Sequence, residues 1–291
     1  MHNITPIIVQ RNNIRDKLNT VMLTHSAARS GTTLYTFHSE DTSVATHKPL
    51  LPPVQAWVDR YITFAQTDKL ARVMSLHKGA EITLEENIAP ELGFANGANF
   101  FIHDILPDER DKTSADATYT EMKLTYLPAA ILIKVPLMED TVFAPGLPPG
   151  VFSLKKRSHK ATVTANGNSI VFTRTMFAIH PARCMTDYKS QGKGFPRAVL
   201  DIKAPLTSRP DYVLAVYVML GRVAELDGIG ILRPFDASLL TKPFPLEIKE
   251  EVQRLEALSA AHAAAFWTRN RRDKWDWAKG QVQNRRNRTR R

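Results

Sequence analysis

The sequence comprises 291 residues and carries a formal net charge of +10 at pH 7. This length suffices for one large or two modest domains that each bury a core, and 18 prolines against 13 glycines indicate defined turns rather than low-complexity sequence. The single cysteine, Cys184, excludes an internal disulfide framework, and no Cys and His residues stand at zinc-site spacing. The apolar runs are short or interrupted, so neither secretion nor a membrane span is expected.

The first elements along the chain follow a strand, turn and helix order. Ile7–Val9 is a short apolar run, and Asn12 with its neighbouring asparagine offers an N-cap for a helix through about His25. Leu34–His38 alternates as a strand does, prolines then mark a loop, and residues 55–74 are more typical of a helix than of a strand.

The sequence pattern changes from residue 79 onward, where short strand-like segments predominate. The clearest local signal is Asn166-Gly167, which lies between alternating segments at residues 160–165 and 169–173. Both residues tolerate the positive φ that a tight hairpin requires. We therefore expect a β-rich module over about residues 75–176.

Residues beyond this module return to an α/β pattern. Residues 198–202 and 228–232 have the composition of buried strands. Ser208 and Pro210 favour a helix over residues 212–220, whereas the β-branched valines in that segment favour a strand. Further on, apolar residues recur three or four positions apart and predict an amphipathic helix: Ile248, Val252, Leu255 and Leu258.

The chemistry-bearing residues exclude several classes of enzyme. No Gly-x-x-x-x-Gly-Lys-Ser/Thr loop is present, so a phosphate cradle of the P-loop kind is missing from this sequence. A nucleophile would have to be Cys184 with His180, but no third group orients the histidine, and a packed cysteine is the preferred interpretation. Two carboxylate pairs are interpreted as solvated faces: Glu85 with Glu86, and Asp108 with Glu109.

Four segments in one order carry a family resemblance. Residues 184–192, Cys-Met-Thr-Asp-Tyr-Lys-Ser-Gln-Gly, resemble helicase motif V of the Pif family, and residues 217–223, Tyr-Val-Met-Leu-Gly-Arg-Val, resemble motif VI. Residues 78–97 resemble the opening of the family's SH3-like insertion, and residues 7–19 have the form of motif IV. The resemblance spans roughly residues 1–236 and is to Pif-family, superfamily 1 DNA helicases of the Helitron or transposon-associated type, in their C-terminal portion only.

This resemblance implies an α/β fold, in which a RecA-like second helicase domain carries an SH3-like β-rich insertion and a basic helical C-terminal extension. The expected divisions are residues 1–74 and 177–236 for the RecA-like domain, 75–176 for the insertion and 237–291 for the helical and basic tail. The implied function is coupling of ATP state to single-stranded DNA binding. Repair, recombination and telomere maintenance in the nucleus are the implied settings.

The resemblance also assigns roles to individual residues. Arg222 matches the arginine finger of motif VI, and Gln191 and Gly192 are the nucleotide-coupling residues. Thr186, Lys189 and Ser190 are the expected DNA contacts. ATP and Mg²⁺ would bind only if a separate P-loop helicase half supplied the cradle, so the isolated chain is expected not to hydrolyse ATP.

The basic tail supplies +8 of the net charge, since residues 266–291 hold eight Arg and two Lys against two Asp. If it is functional, it is a phosphate binder or a nuclear-import signal, and the alternative is a solvated, disordered end. Its tryptophans either stack on bases or fold back on the core. Three of its arginines are candidate DNA contacts: Arg285, Arg286 and Arg288.

Departures from the family pattern support a competing interpretation. Asp187 places an acid beside the expected DNA contacts, and Gly221 removes the hydroxyl that usually precedes the finger arginine. These departures are typical of a decaying transposon-derived copy. The alternative function is therefore an inert or merely interacting remnant that has no nucleic-acid role.

Overall fold

The structure is a computed structural model that describes residues 5–111, 121–136, 138–204, 211–241 and 246–269. The chain forms two compact units, one of Met1–Ser208 with Ala215–Phe235 and one of Arg209–Leu214 with Asp236–Arg291. The strands of the described residues, and the sheets that they form, belong to the first unit. The predicted division at residues 74, 176 and 236 stays a prediction.

Within the described residues the secondary structure comprises fifteen strands and five α-helices. The strands are β1 (Ile7–Val9), β2 (Leu34–His38), β3 (Glu40–Ser43), β4 (Val73–Leu76), β5 (Glu81–Leu84), β6 (Asn99–Leu106), β7 (Glu121–Lys123), β8 (Ala130–Lys134), β9 (Val151–Leu154), β10 (Lys156–Ala165), β11 (Asn168–Phe177), β12 (Ile179–Pro181), β13 (Cys184–Thr186), β14 (Ala198–Leu200) and β15 (Ile229–Ile231). The helices are α1 (Asn12–Ser30), α2 (Pro52–Tyr61), α3 (Asp187–Ser190), α4 (Tyr212–Leu220) and α5 (Leu246–Arg269).

A four-stranded parallel sheet joins the two ends of the first unit. Its strand order is β13-β1-β14-β15, and every neighbouring pair is parallel. The inner strands are apolar and mostly buried, as expected of strands covered on both faces: Ile8, Val9, Ala198 and Leu200 are all 0% exposed, and Ile7 and Val199 are partly buried. The mixed α/β class is confirmed, and the two segments predicted as strands near residues 200 and 230 are neighbours in this sheet.

Helix α1 packs against this sheet through one face that carries both polar and apolar residues. Its buried residues are Arg15, Asn19, Leu23 and Ala27, which lie four apart and therefore share a face. The helix ends at Gly31, whose φ of 62° closes it with hydrogen bonds to two preceding carbonyls. The helix runs beyond the predicted end at residue 25, and its N-cap is Arg11 without a side-chain cap, so the predicted asparagine cap was wrong.

Helix α2 is shorter than the sequence pattern predicted. It ends at Tyr61, and the chain then turns through Asp68 and Lys69, which have positive φ values of 47° and 65°. Strand β4 occupies residues that were expected to continue the helix. The prediction of a helix over residues 55–74 was therefore correct only for its first part.

Antiparallel sheets fill the middle of the chain. The largest has the order β12-β5-β6-β8-β9, and its core includes an aromatic cluster in which Phe94 stacks on Phe100 with ring centroids 5.4 Å apart. Strands β10 and β11, of ten residues each, form a hairpin around Asn166 and Gly167, with φ values of 51° and 76°. These values fit the turn that the sequence predicted, so the hairpin is confirmed.

Strands β2 and β3 pair with strands from the mainly antiparallel middle of the chain. Strand β2 pairs antiparallel with β4 and parallel with β7, and β3 pairs antiparallel with β11. An ion pair reinforces the second contact, because Arg174 donates to Asp41 across the strands at 2.6 and 2.8 Å. Residues 34–43 are thus tied to strands far along the chain.

Residues 212–220 form helix α4, which resolves the choice that the sequence left between helix and strand. Ala215, Val216 and Met219 are buried on one face, at helical spacing. A tight packing site follows at Gly228, where an added Cβ atom would overlap the carbonyl oxygen of Pro196. Only glycine fits this approach of two backbones.

Helix α5 belongs to the second unit and confirms the predicted amphipathic helix. Its apolar residues recur on one stripe, although Val252, Leu255 and Leu258 are each about half exposed, at 47%, 51% and 44%. Three predicted DNA contacts in the tail lie outside the described residues: Arg285, Arg286 and Arg288.

Candidate functional site

The candidate site lies at the carboxyl edge of the parallel sheet. The residues that follow the ends of parallel strands meet at one edge, which is where open α/β sheets bind ligands. Strand β13 ends at Thr186 and runs directly into α3. Strands β1 and β14 end beside it, so Gln10 and Asp201 follow at the same edge.

The short helix α3 holds the hydroxyls that the sequence singled out. Thr186 is its N-cap, and its Oγ1 accepts a hydrogen bond from the Lys189 amide at 3.4 Å. The Ser190 hydroxyl is fully buried and donates to the carbonyl of Asp187 at 2.7 Å. Both hydroxyls therefore shape the turn from within, and Ser190 is not presented to solvent.

The turn after α3 is exposed and has a backbone conformation that its sequence permits. Gln191 and Gly192 are both exposed, and Gly192 has a φ of 75° in the left-handed region. Glycine adopts this conformation without steric cost, and no atom would lie within 4 Å of an added Cβ. The turn thus offers backbone groups and the Gln191 amide to a ligand.

Lys189 forms an ion pair with a buried carboxylate. Its ammonium donates to Glu85 Oε2 at 2.8 Å and lies 3.4 Å from Asn96 Oδ1. Lys69 approaches the same Glu85 oxygen at 3.6 Å, and the Glu85 side chain is only 4% exposed. The interpretation of Glu85 as part of a solvated face was therefore wrong, because long-range folding brings two lysines onto it.

Arg222 ties the residues after α4 to the turn after α3. Its Nε donates to the carbonyl of Val218 at 2.9 Å, and one terminal nitrogen donates to the carbonyl of Lys193 at 3.2 Å and lies 3.5 Å from that of Ser190. The backbone carbonyl of Arg222 also accepts from the Phe195 amide at 2.8 Å. The structure thus brings together two of the motif-like segments that the sequence placed about thirty residues apart.

An ion pair that the sequence did not predict stands at the same edge of the sheet. Arg233 donates to both carboxylate oxygens of Asp201, at 2.9 and 2.6 Å, while the Asp201 side chain is 2% exposed. Gln10 donates to the Asp201 carbonyl at 3.1 Å. These residues line a cleft of about 260 Å³. The only sequence signal was their position at or directly after the ends of predicted strands.

Cys184 and His180 do not form a nucleophilic pair. Burial raises the pKa of the Cys184 thiol to about 12, and burial lowers the pKa of His180 to about 3. The thiol is therefore protonated at neutral pH and is packed at 1% exposure. The preference for a packed cysteine is confirmed.

Two further features bear on ligands and surroundings. Among the described residues, no three His, Cys, Asp or Glu side chains are grouped so that they could hold a metal ion. Within that same part of the chain, none of the helices is long and apolar enough to cross a membrane.

Comparisons with known proteins identify the fold. No protein-family model matches the chain, and no curated protein matches it in sequence. Among solved structures, the Pif1 helicase of Candida albicans matches with a TM-score of 0.53 and 18% identity, over 88% of this chain and 50% of the helicase. The Bacteroides Pif1 bound to ssDNA matches with a TM-score of 0.52 and 13% identity, over 89% of this chain and 47% of that one. A structure described as two coordinating Pif1 helicases unwinding forked dsDNA matches with a TM-score of 0.53 and 15% identity, over 89% of this chain and 46% of that one.

These likenesses define the class of fold as that of a helicase region. More particularly, the chain adopts the fold of part of the Pif1 helicases, and it spans about half the length of the solved helicases that it matches. The family that the sequence motifs suggested is thus supported at the level of the fold.

Proposed function

We propose that the chain is the part of an ATP-dependent DNA helicase that couples nucleotide state to single-stranded DNA binding. The fold supports this role, because one of the matched helicases is bound to ssDNA. In this proposal the parallel sheet with α1, α3 and α4 is the RecA-like second domain, the antiparallel sheets include the SH3-like insertion, and the origin is of the Helitron-associated type.

The single observation that carries the proposal is the contact of Arg222 with the carbonyl groups of Lys193 and Ser190. A helicase must convert an event at the phosphate of ATP into a change at the nucleic acid. Arg222 provides a direct physical connection, because its guanidinium holds the turn that contains Gln191 and Gly192. Moving that guanidinium would release or reshape the turn.

The nucleotide half of the reaction requires groups beyond this sequence. A phosphate cradle and Mg²⁺ ligands are needed to stabilise the transferring phosphoryl group, and no P-loop motif occurs here. A separate P-loop half would supply them. Arg222 would then exchange its carbonyl partners for the γ-phosphate, where an arginine finger in an assembled site is worth about 10³ to 10⁵ in rate.

The DNA side of the proposal rests on the turn after α3 and on the basic tail. Gly192 permits close approach of a phosphate to the backbone, and the amide of Gln191 adds a polar contact. Lys189, whose side chain is 33% exposed, adds a positive charge beside the turn. The tail supplies counterion release that does not depend on sequence, and it also motivates a nuclear location.

The competing function is that of a remnant without nucleic-acid activity. One observation favours it: Asp187 lies in α3 within the candidate DNA-contacting segment, and a carboxylate there repels phosphate. It is 3% exposed. Burial of this side chain reduces its exposure to an approaching phosphate and so weakens the objection.

Binding of fluorescent oligothymidylate to the full chain separates the two functions. The coupling function predicts salt-sensitive binding that weakens when Gln191 is replaced by Ala, relative to Gln253→Ala as a matched control at an exposed position of α5. Absence of binding at low salt, or equal affinities of the two variants, would favour the remnant.

A further inference from the structure

A network of opposite charges connects α3 to the antiparallel part of the chain. Glu85 lies directly after β5, and its buried carboxylate receives the ammonium groups of Lys189 and Lys69 on the same oxygen. Next to it, Lys193 donates to the carbonyl of Gly97 at 3.3 Å. Two lysines from different segments thus pair with one buried acid, and a third lysine lies close to them.

The position of Lys69 is held at a conformational cost. Asp68 and Lys69 both have left-handed backbone angles, which are uncommon for residues with a Cβ and persist only when the surrounding structure enforces them. The turn is fixed on both sides, because Asp68 pairs with Arg157 and the Lys69 amide donates to the carbonyl of Phe64 at 3.0 Å. Such strain is typical of functional positions.

The lysine ammonium groups are only partly used by these contacts. An ammonium group has three donors, and Lys189 directs two of them at Glu85 and Asn96, whereas Lys69 lies at ion-pair distance, 3.6 Å, from the same Glu85 oxygen. The side chains of Lys69 and Lys189 are 41% and 33% exposed. Donors therefore remain for an anion that approaches from solvent.

We propose that Lys69 and Lys189 form a phosphate-binding pair for single-stranded DNA, and that Glu85 beneath them positions both ammonium groups and limits the strength of the site. The inference rests on the proposed function and deepens it by assigning a phosphate contact to Lys69 and a positioning role to Glu85. Two lysines with one buried acid leave a net charge of +1, which attracts a phosphate without trapping it.

The positions of Lys193 and Gly97 strengthen this assignment. Burial lowers the pKa of Lys193, and the neighbouring Lys189 lowers it further while Glu81 and Glu85 oppose the shift, so a third positive charge stands close to Lys189. Added negative charge from a phosphate relieves that repulsion. The exposed turn at Gln191 and Gly192 continues directly from this surface, so phosphate binding at the lysine pair would place DNA along it.

Substitution of Glu85 provides the first test. The Glu85→Gln variant keeps an oxygen that accepts from both lysines but removes the opposing charge. We expect about fivefold tighter binding of oligothymidylate to the full chain at low salt, and a logarithmic salt dependence steeper by about 0.7 for each additional phosphate that the protein neutralises. The matched control is Glu86→Gln, which removes the same charge one residue away.

Substitution of Lys69 provides the second test. Lys69→Gln should weaken binding about fivefold and flatten the salt dependence by about 0.7, while Lys160→Gln, at an exposed lysine of the hairpin, should change neither. Thermal unfolding of every variant separates a binding effect from loss of the fold. Equal effects of Glu85→Gln and Glu86→Gln, or of Lys69→Gln and Lys160→Gln, in folded protein would overturn the inference. Failure of the unaltered chain to bind would instead reject the proposed function.

Discussion

The guanidinium of Arg222 donates a hydrogen bond to the carbonyl oxygen of Lys193 at 3.2 Å. This contact joins the segment after α4 to the turn after α3, which are the two segments that resemble helicase motifs VI and V. In this conformation the arginine therefore stabilises the turn after α3. Its proposed role at the nucleotide requires that it break these hydrogen bonds.

Replacement of Arg222 should first be visible in stability. Arg222→Ala leaves the part-buried carbonyl groups of Val218 and Lys193 without their donor, which should lower the free energy of unfolding by about 1 to 3 kcal/mol. Urea denaturation measures this loss. Arg197→Ala, at an exposed arginine beside the same turn, is the control. Equal stability of the unaltered chain and Arg222→Ala would show that the hydrogen bonds of Arg222 do not stabilise the fold.

Gly228 gives a sharper prediction about packing. Gly228→Ala would drive a Cβ into the backbone oxygen of Pro196, so the strand entry must shift, at a cost of about 1 to 3 kcal/mol or more. Gly194→Ala meets no atom within 4 Å and should be nearly neutral. Thermal melts of the two variants compare them directly. A Gly228→Ala protein as stable as Gly194→Ala would show that the backbones of Gly228 and Pro196 do not approach as closely as described.

The buried pair of Asp41 and Arg174 predicts a pH dependence of stability. Burial alone would raise the pKa of Asp41, but hydrogen bonds from Arg174, Gln55 and Ser39 lower it below its ordinary value. A lowered carboxyl pKa contributes stability that is full above the unfolded-state value near 3.8 and is lost as pH falls through the folded-state value.

Asp41→Asn tests this pair. At pH 7 the substitution should cost about 3 to 5 kcal/mol, because Arg174 is left in a buried position without its main partner. The difference in unfolding free energy between the variant and the unaltered chain, measured by urea titration, should shrink at pH values below the unfolded-state pKa of Asp41. Glu40→Gln, at an exposed neighbour in β3, should show neither effect. A difference that stayed constant down to acid pH would exclude Asp41 as the titrating group.

The parallel sheet and the hairpin were predictable because local pattern determines them. Apolar runs near residues 8, 200 and 230 have the composition of strands covered on both faces, and the Asn166-Gly167 pair requires a tight turn. The helix–strand ambiguity at residues 212–220 arose because valine favours strands locally. Tertiary packing of Ala215, Val216 and Met219 decided it.

The contacts of the candidate site were not predictable in the same way. Glu85 meets Lys189 across more than one hundred residues, and Arg222 reaches carbonyl groups that every sequence possesses. Neither contact leaves a local pattern. The motif resemblance selected two segments that the structure brings together, but the partners that hold their side chains follow only from the assembled sheets.

The basic tail predicts a change in salt dependence. Removal of residues 270–291 eliminates seven of the eight arginines counted after residue 265. Because each neutralised phosphate releases counterions, the slope of the logarithm of affinity against the logarithm of salt concentration should become shallower by about 0.7 for each phosphate that the shortened chain no longer neutralises on single strands. Anisotropy titrations at several salt concentrations measure this slope. An unchanged slope would show that the tail does not contact DNA.

Hydrogen exchange of the full chain, with and without oligothymidylate, tests the central claim most directly. If the carboxyl edge of the parallel sheet is the DNA-coupling site, the peptide amides of residues 186–193 should exchange more slowly when the oligonucleotide is bound, and the Gln191→Ala variant should lose much of that protection. Protection confined to residues beyond 269, with residues 186–193 unchanged at saturating oligonucleotide, would contradict the assignment of the site.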